Sequence, residues 1–164
     1  MPNQQGFTLL ELLITLAIIA ILMSLGAFNL QSFFIKNQQI TAVNQLLDAL
    51  SFARHNAITR HVAVSLCPTL NNQHCDKEWR QGYMVFINQL NDIEPNPTHI
   101  LAIYPNKTAS IEINNSREII TFQPSGQSPN SNSTFIISAP NSNESIVTKL
   151  ILNTKGRIAV EYVE

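Results

Sequence analysis

The sequence predicts an α+β fold in which one long N-terminal helix, transmembrane in its first half and amphipathic in its second, packs against an antiparallel β-sheet head. Three observations lead there. No proline falls between Pro2 and Pro68, so nothing interrupts a helix from Phe7 to about Arg60. At His61 the apolar period switches from steps of three and four residues to alternation. Beyond it, short apolar runs are separated by Asn, Pro, Ser and Gly turn signals, the pattern of successive antiparallel strands.

The first half of the helix suits lipid. From Leu12 to Leu25 only Thr15 and Ser24 interrupt the apolar residues. As a helix, Phe7 to Leu30 would be about 36 Å long, enough to cross a bilayer. A cleavable secretory signal would carry a positive start, a shorter apolar core and a small-x-small exit. Met1 to Gly6 contains no Lys or Arg, and no such exit follows the run. A plain membrane anchor accounts for the length and leaves Glu11 unexplained. Thr8-Leu9-Leu10-Glu11 reads as a capping box, and a first-turn carboxylate also suits the helix dipole. Each effect is worth about 1 kcal/mol, whereas a carboxylate deep in the bilayer costs about 2.5–3.5 kcal/mol. Cutting between Gly6 and Phe7 would create a partner: an ammonium just before Glu11, within reach of the carboxylate on a staggered neighbouring helix.

In the second half, Ile40, Val43, Leu47, Leu50, Arg54 and Ile58 recur at helical steps, with Leu46, Ala53 and Ala57 flanking the stripe and Arg54 at its edge. Gly26 is the expected flexible point, since Gly weakens a helix by about 1 kcal/mol relative to Ala. Strands are expected where Val62, Val64 and Leu66 run into Cys67-Pro68, and at 83–87, 99–104, 109–113, 118–122, 134–139, 146–152 and 157–163. The Ser/Asn-rich stretch 125–133 reads as a flexible loop.

Cys67 and Cys75 form a disulfide if the membrane segment exports the chain beyond it, a short ring worth roughly 2–3 kcal/mol. Two separate buried thiols are the alternative. The four histidines are scattered, which argues against a zinc site. No cofactor motif is present. Gly-x-Ser-x-Gly, His-Glu-x-x-His and P-loop patterns are missing, so catalysis is not expected. The acidic pairs Asp76/Glu78 and Asp92/Glu94 lie in polar loop sequence and read as solvated surface.

Gly6-Phe7-Thr8-Leu9-Leu10-Glu11, running into the apolar helix, resembles the class III signal of type IV pilins and type II secretion pseudopilins. The resemblance implies cleavage after Gly6 by a prepilin peptidase and N-methylation of the Phe7 amine. It further implies that Glu11 is the filament-assembly glutamate, neutralising a neighbouring subunit's N-terminus. The leader departs from the family pattern in having no Lys or Arg, which weakens positive-inside control of topology. The implied organisation is a leader at 1–6, a transmembrane half-helix at 7–30, a periplasmic half-helix at 31–60 and a head at 61–164.

The head carries a second resemblance. Cys67-Pro68, Cys75 and Trp79-Arg80-Gln81-Gly82-Tyr83-Met84-Val85-Phe86 are similar to the GspH/FimT/FimU branch of minor pilins and pseudopilins. So are Ile120-Thr121-Phe122-Gln123-Pro124-Ser125-Gly126 and Lys155-Gly156-Arg157. Trp79 and Phe86 are expected in the core, and Gly82 and Gly126 at backbone-permissive positions. The implied function is a non-enzymatic subunit that enters, and primes or caps, a type IV pilus. A type II secretion pseudopilin is the alternative. The implied partners are other pilins, the prepilin peptidase and the inner-membrane assembly platform, with a single pass through the inner membrane and the head in the periplasm. A third reading is DNA capture, for which Lys155 and Arg157 are the contact candidates. Against it, the net charge of the chain is -1. Lys149, Lys155 and Arg157 are also balanced by Glu144, Glu161 and Glu164.

Overall fold

The computed structural model describes residues 7–88, 95–105, 110–140 and 147–163, with side chains throughout except at 24–31. The chain divides into two compact units, Met1–Phe34 and Ile35–Glu164. Gly6, Asp92 and Glu94, along with Glu144 and Glu164, lie outside the described residues.

Helix α1 spans Leu9–Arg60 and contributes to both units. It passes through Gly26 without a break in its helical backbone. In the first unit every described side chain from Phe7 to Met23 is exposed, Phe7 at 84%. Among the described residues no helix is long and apolar enough to cross a membrane. The expected span at 7–30 includes residues whose side chains are not described.

The second unit holds eight strands among the described residues: β1 Val64–Pro68, β2 Gly82–Ile87, β3 Ile100–Pro105, β4 Glu112–Asn114, β5 Ile120–Phe122, β6 Ser133–Ser138, β7 Val147–Leu152 and β8 Ile158–Val163. Each coincides with an expected strand to within a few residues. The expectation of one sheet is corrected to two four-stranded antiparallel sheets, ordered β3-β2-β1-β5 and β4-β6-β7-β8. Alternation along each strand reports which face is buried. It carries no information on which of eight short strands will pair.

The buried face of α1 is rotated from the expected stripe. Gln39, Ala42, Val43, Leu46, Ala49, Leu50, Ala53, Asn56 and Ala57 are buried, while Ile40 is 43% and Ile58 42% exposed. Leu46, Ala53 and Ala57, expected at the flanks, lie at its centre. Four of the nine are alanines, and the buried Gln39 amide is satisfied at both the Ile137 carbonyl (3.2 Å) and the Thr148 hydroxyl (3.3 Å). Around this face sit Leu66, Val85, Phe122, Phe135, Ile137 and Leu150, with Trp79 edge-on to Phe135 at 4.9 Å between ring centres.

β2 is buried on both faces. Tyr83 and Val85 join the main core, whereas Met84 and Phe86 join Cys67 in a smaller cluster with Cys75, Ile100 and Ile119. A strand with two buried faces reads as a continuous apolar run, which Tyr83-Met84-Val85-Phe86 is.

The stretch 125–133 corrects the expectation of a flexible loop. Ser128 is fully buried; its amide donates to the Thr154 carbonyl at 3.0 Å and its hydroxyl to the Asn153 carbonyl at 2.9 Å. The Ser131 hydroxyl accepts from the Thr121 amide at 3.0 Å. Serines here replace backbone partners, a use to which composition is blind.

Candidate functional site

At the start of α1, the Glu11 amide donates to the Thr8 hydroxyl at 3.3 Å, and the Glu11 and Leu12 amides donate to the Thr8 carbonyl at 3.1 and 3.2 Å. Thr8 is thus the N-cap and Glu11 lies in the first turn. Only half of the expected capping box forms, because the Glu11 carboxylate does not return to the Thr8 amide. Among the described residues that carboxylate has no partner, and it is exposed. The helix therefore presents an unneutralised acid one turn after Phe7, on a surface otherwise apolar to Met23 apart from Thr15. Thr15 conceals its own polarity by donating its hydroxyl to the Leu12 carbonyl at 2.9 Å.

In the head, Cys67 and Cys75 form a disulfide with 5.6 Å between Cα atoms. Hydrogen bonds close the same loop: Asp76 amide to Pro68 carbonyl at 2.8 Å, and Asn72 amide to Thr69 hydroxyl at 3.0 Å. Trp79 is core, its indole donating to the Arg117 carbonyl at 2.8 Å. Among the described residues no group of three or more His, Cys, Asp or Glu is placed to hold a metal ion.

Lys155 and Arg157 sit, exposed, on the β7–β8 turn, where the Lys155 and Arg157 amides both donate to the Asn153 side chain (3.0 and 2.9 Å). The fold brings Arg54 to this turn. Its Nε donates to the Gly126 carbonyl at 3.0 Å, and it would stand 3.2 Å from a Cβ placed on Gly156. The sequence places Arg54 only at the edge of a helical stripe; nothing local signals its contact 72 residues away. A second pairing also escapes sequence reading. The Tyr104 hydroxyl donates to Asp48 at 3.2 Å, and the Tyr104 ring stacks on Tyr83 at 5.5 Å. Burial, reinforced by the Asp48 charge and hydrogen bond, pushes the Tyr104 phenol up to about 12. Burial pushes Tyr83 higher still.

A long N-terminal helix packed on antiparallel sheets is the pilin fold, that of a structural subunit. Residues 42–156 match the family model of type II transport protein GspH, well over half of the sequence, and the chain belongs to the GspH family of type II pseudopilins and type IV minor pilins. Residues 1–27 match the prokaryotic N-terminal methylation motif. Two crystal structures of the type IV minor pilin FimU of Pseudomonas aeruginosa strain PAO1 are similar in fold. Their TM-scores are 0.62 and 0.58, at 21% and 20% identity, covering 79% and 74% of this chain and 92% and 90% of FimU. No curated protein matches the sequence. Pilin-family proteins are structural and non-enzymatic, processed by a prepilin peptidase and assembled with other pilins. The methylation motif marks a prepilin anchored in the inner membrane.

Proposed function

We propose that the chain is a minor pilin that enters a type IV pilus and primes or caps it. The observation that carries this reading is the Glu11 carboxylate, exposed and without a partner among the described residues, one turn into a helix whose described surface to Met23 is apolar. A lone acid on such a surface is unfavourable in lipid and calls for a cation. Cleavage after Gly6 supplies it, as the N-methylated ammonium of Phe7 on the next subunit. Apolar contacts along the helix then hold neighbouring subunits together, and the Glu11–Phe7 pair sets their register. Residues 1–6 act as the leader, 7–30 cross the inner membrane, and 31–60 carry the head into the periplasm.

A second reading, a type II secretion pseudopilin acting in protein export, draws support from the GspH family description. DNA capture draws on a different observation, the approach of Arg54 to Gly156, which lies between Lys155 and Arg157 in the turn.

Mass spectrometry of membrane-extracted protein is expected to find a mature chain beginning at methylated Phe7; an intact Met1 terminus overturns the prepilin reading. Glu11→Ala is expected to be processed normally yet absent from sheared filaments. Deleting the gene and scoring surface pili, secreted proteins and transformation separately distinguishes the three roles. For DNA capture, gel-shift binding should weaken steeply with salt and with Arg157→Ala.

A further inference from the structure

The sequence holds four Asn-x-Ser/Thr triplets without a central proline, the acceptor pattern for an N-linked oligosaccharide, headed by Asn106, Asn114, Asn132 and Asn143. Asn106 and Asn143 lie outside the described residues. The fold separates the other two. Asn132 is exposed, but the hydroxyl of its triplet belongs to Thr134 in β6, an inner strand flanked by β4 and β7. An enzyme reading that triplet would have to open the sheet. Asn114 instead ends β4, an edge strand, and Ser116 is exposed in the bend that follows. Asn115 holds that bend: its side-chain amide donates to the Ser133 hydroxyl at 3.3 Å, and its side-chain oxygen accepts from the Arg117 amide at 3.1 Å. The Asn114 side chain is exposed and makes no hydrogen bond among the described residues. Glu112 stands two residues earlier on the same face of β4, about 7 Å away along the strand. Beside them opens a cavity of about 300 Å³, lined in part by Lys77, Glu78, Arg80, Glu112 and Asn114.

We propose that Asn114 is an N-glycosylation site, whose side-chain amide receives an oligosaccharide from a lipid-diphosphate-linked donor. In the transfer a bond forms between Asn114 Nδ2 and C1 of the first sugar, and the C1–O bond to the diphosphate breaks. The lipid diphosphate leaves with the electron pair, and one amide proton passes to a base of the transferase. Nothing is oxidised or reduced. Ser116 supplies the hydroxyl that the triplet requires. Glu112 adds a carboxylate for a cation on the enzyme to grip; of the four triplets, this one alone has an acid two residues before its asparagine. The cavity then gives the first sugar a polar bed, where Lys77, Glu78 and Arg80 offer donors and acceptors to its hydroxyls. The site rests on the reading that carries the head across the inner membrane, to the side where exported chains meet such donors.

The test takes the full chain from its own cells in detergent and maps tryptic peptides by mass spectrometry. Cleavage after Lys107 and Arg117 isolates the peptide 108–117, in which Asn114 heads the one triplet. That peptide is expected to carry an oligosaccharide mass, with fragmentation placing it on Asn114. Asn114→Gln and Ser116→Ala should each remove the mass, and Asn132→Gln should leave it in place. A glycan that persists in Asn114→Gln, carried by a neighbouring hydroxyl, overturns the proposal. The state of the cysteines separates the site from the export reading, because Cys67 and Cys75 are joined only in an oxidising compartment. A bare peptide from a chain with the disulfide formed overturns the site and leaves export standing. A bare peptide from a chain with reduced cysteines overturns export, and a second arm then decides the site. In that arm the purified full chain in micelles meets an oligosaccharyltransferase and a polyprenyl-diphosphate-linked oligosaccharide. Transfer to Asn114, lost in Ser116→Ala and reduced several-fold in Glu112→Gln, supports the site; no transfer overturns it.

Discussion

Gly126 and Gly156 both hold left-handed backbone, with φ of 74° and 73°, and they meet at Arg54. A Cβ on Gly156 would land on the Gly126 carbonyl oxygen, which belongs to the backbone and cannot step aside. A Cβ on Gly126 would come within 2.7 Å of Ile58 Cδ1, the movable end of a side chain. Gly156→Ala should therefore lose clearly more stability than Gly126→Ala, for which left-handed strain of about 1–2 kcal/mol is expected. Arg54→Ala removes the bond to the Gly126 carbonyl and should cost about 1–2 kcal/mol. Urea midpoints of the three variants check the order. The tyrosine pair makes a separate prediction. Folding holds both Tyr104 and Tyr83 in the neutral form, so their folded-state values lie above the ordinary phenol value of 10.0. Their contribution is intact below pH 10 and declines as pH rises toward and past about 12. Stability followed through that window should fall, and Tyr104→Phe should reduce the slope of the fall.

At the scale of elements, the helical face and the disulfide loop behave differently from what local pattern implies. Leu46 is fully buried and Ile40 is 43% exposed, although the sequence stripe centres nearer Ile40. Leu46→Ala should cost about 2–5 kcal/mol, and Ile40→Ala much less, as measured by denaturant unfolding. Reducing Cys67–Cys75 should cost about 2–3 kcal/mol in the chain-entropy model. The fold should survive, because the loop keeps its Asp76–Pro68 and Thr69–Gly82 backbone bonds. Near-ultraviolet dichroism after reduction checks that. Strand positions were legible because alternation, Asn and Pro punctuate the chain locally. The split into two sheets was not. It depends on β1 choosing β2 and β5 while β6 chooses β4 and β7, and those choices are made by contacts across tens of residues.

At the scale of the molecule, the unit Ile35–Glu164 contains every described core residue, and the described side chains of Met1–Phe34 are all exposed. A chain beginning at Ile35 is therefore expected to be soluble and to unfold in one cooperative transition, checked by agreement between calorimetric and van't Hoff enthalpies. Two transitions, or none, would show that the head needs the first unit. By itself the sequence determined the long helix, the places of the strands, the pilin-type start and the class of protein. These rest on periods and motifs only a few residues long. The tertiary structure alone decided which helical face is buried, that the serine-rich stretch is pinned, and that Arg54 joins the Gly126 and Gly156 turns. Each of those depends on partners far apart in sequence, brought together by the geometry of packing.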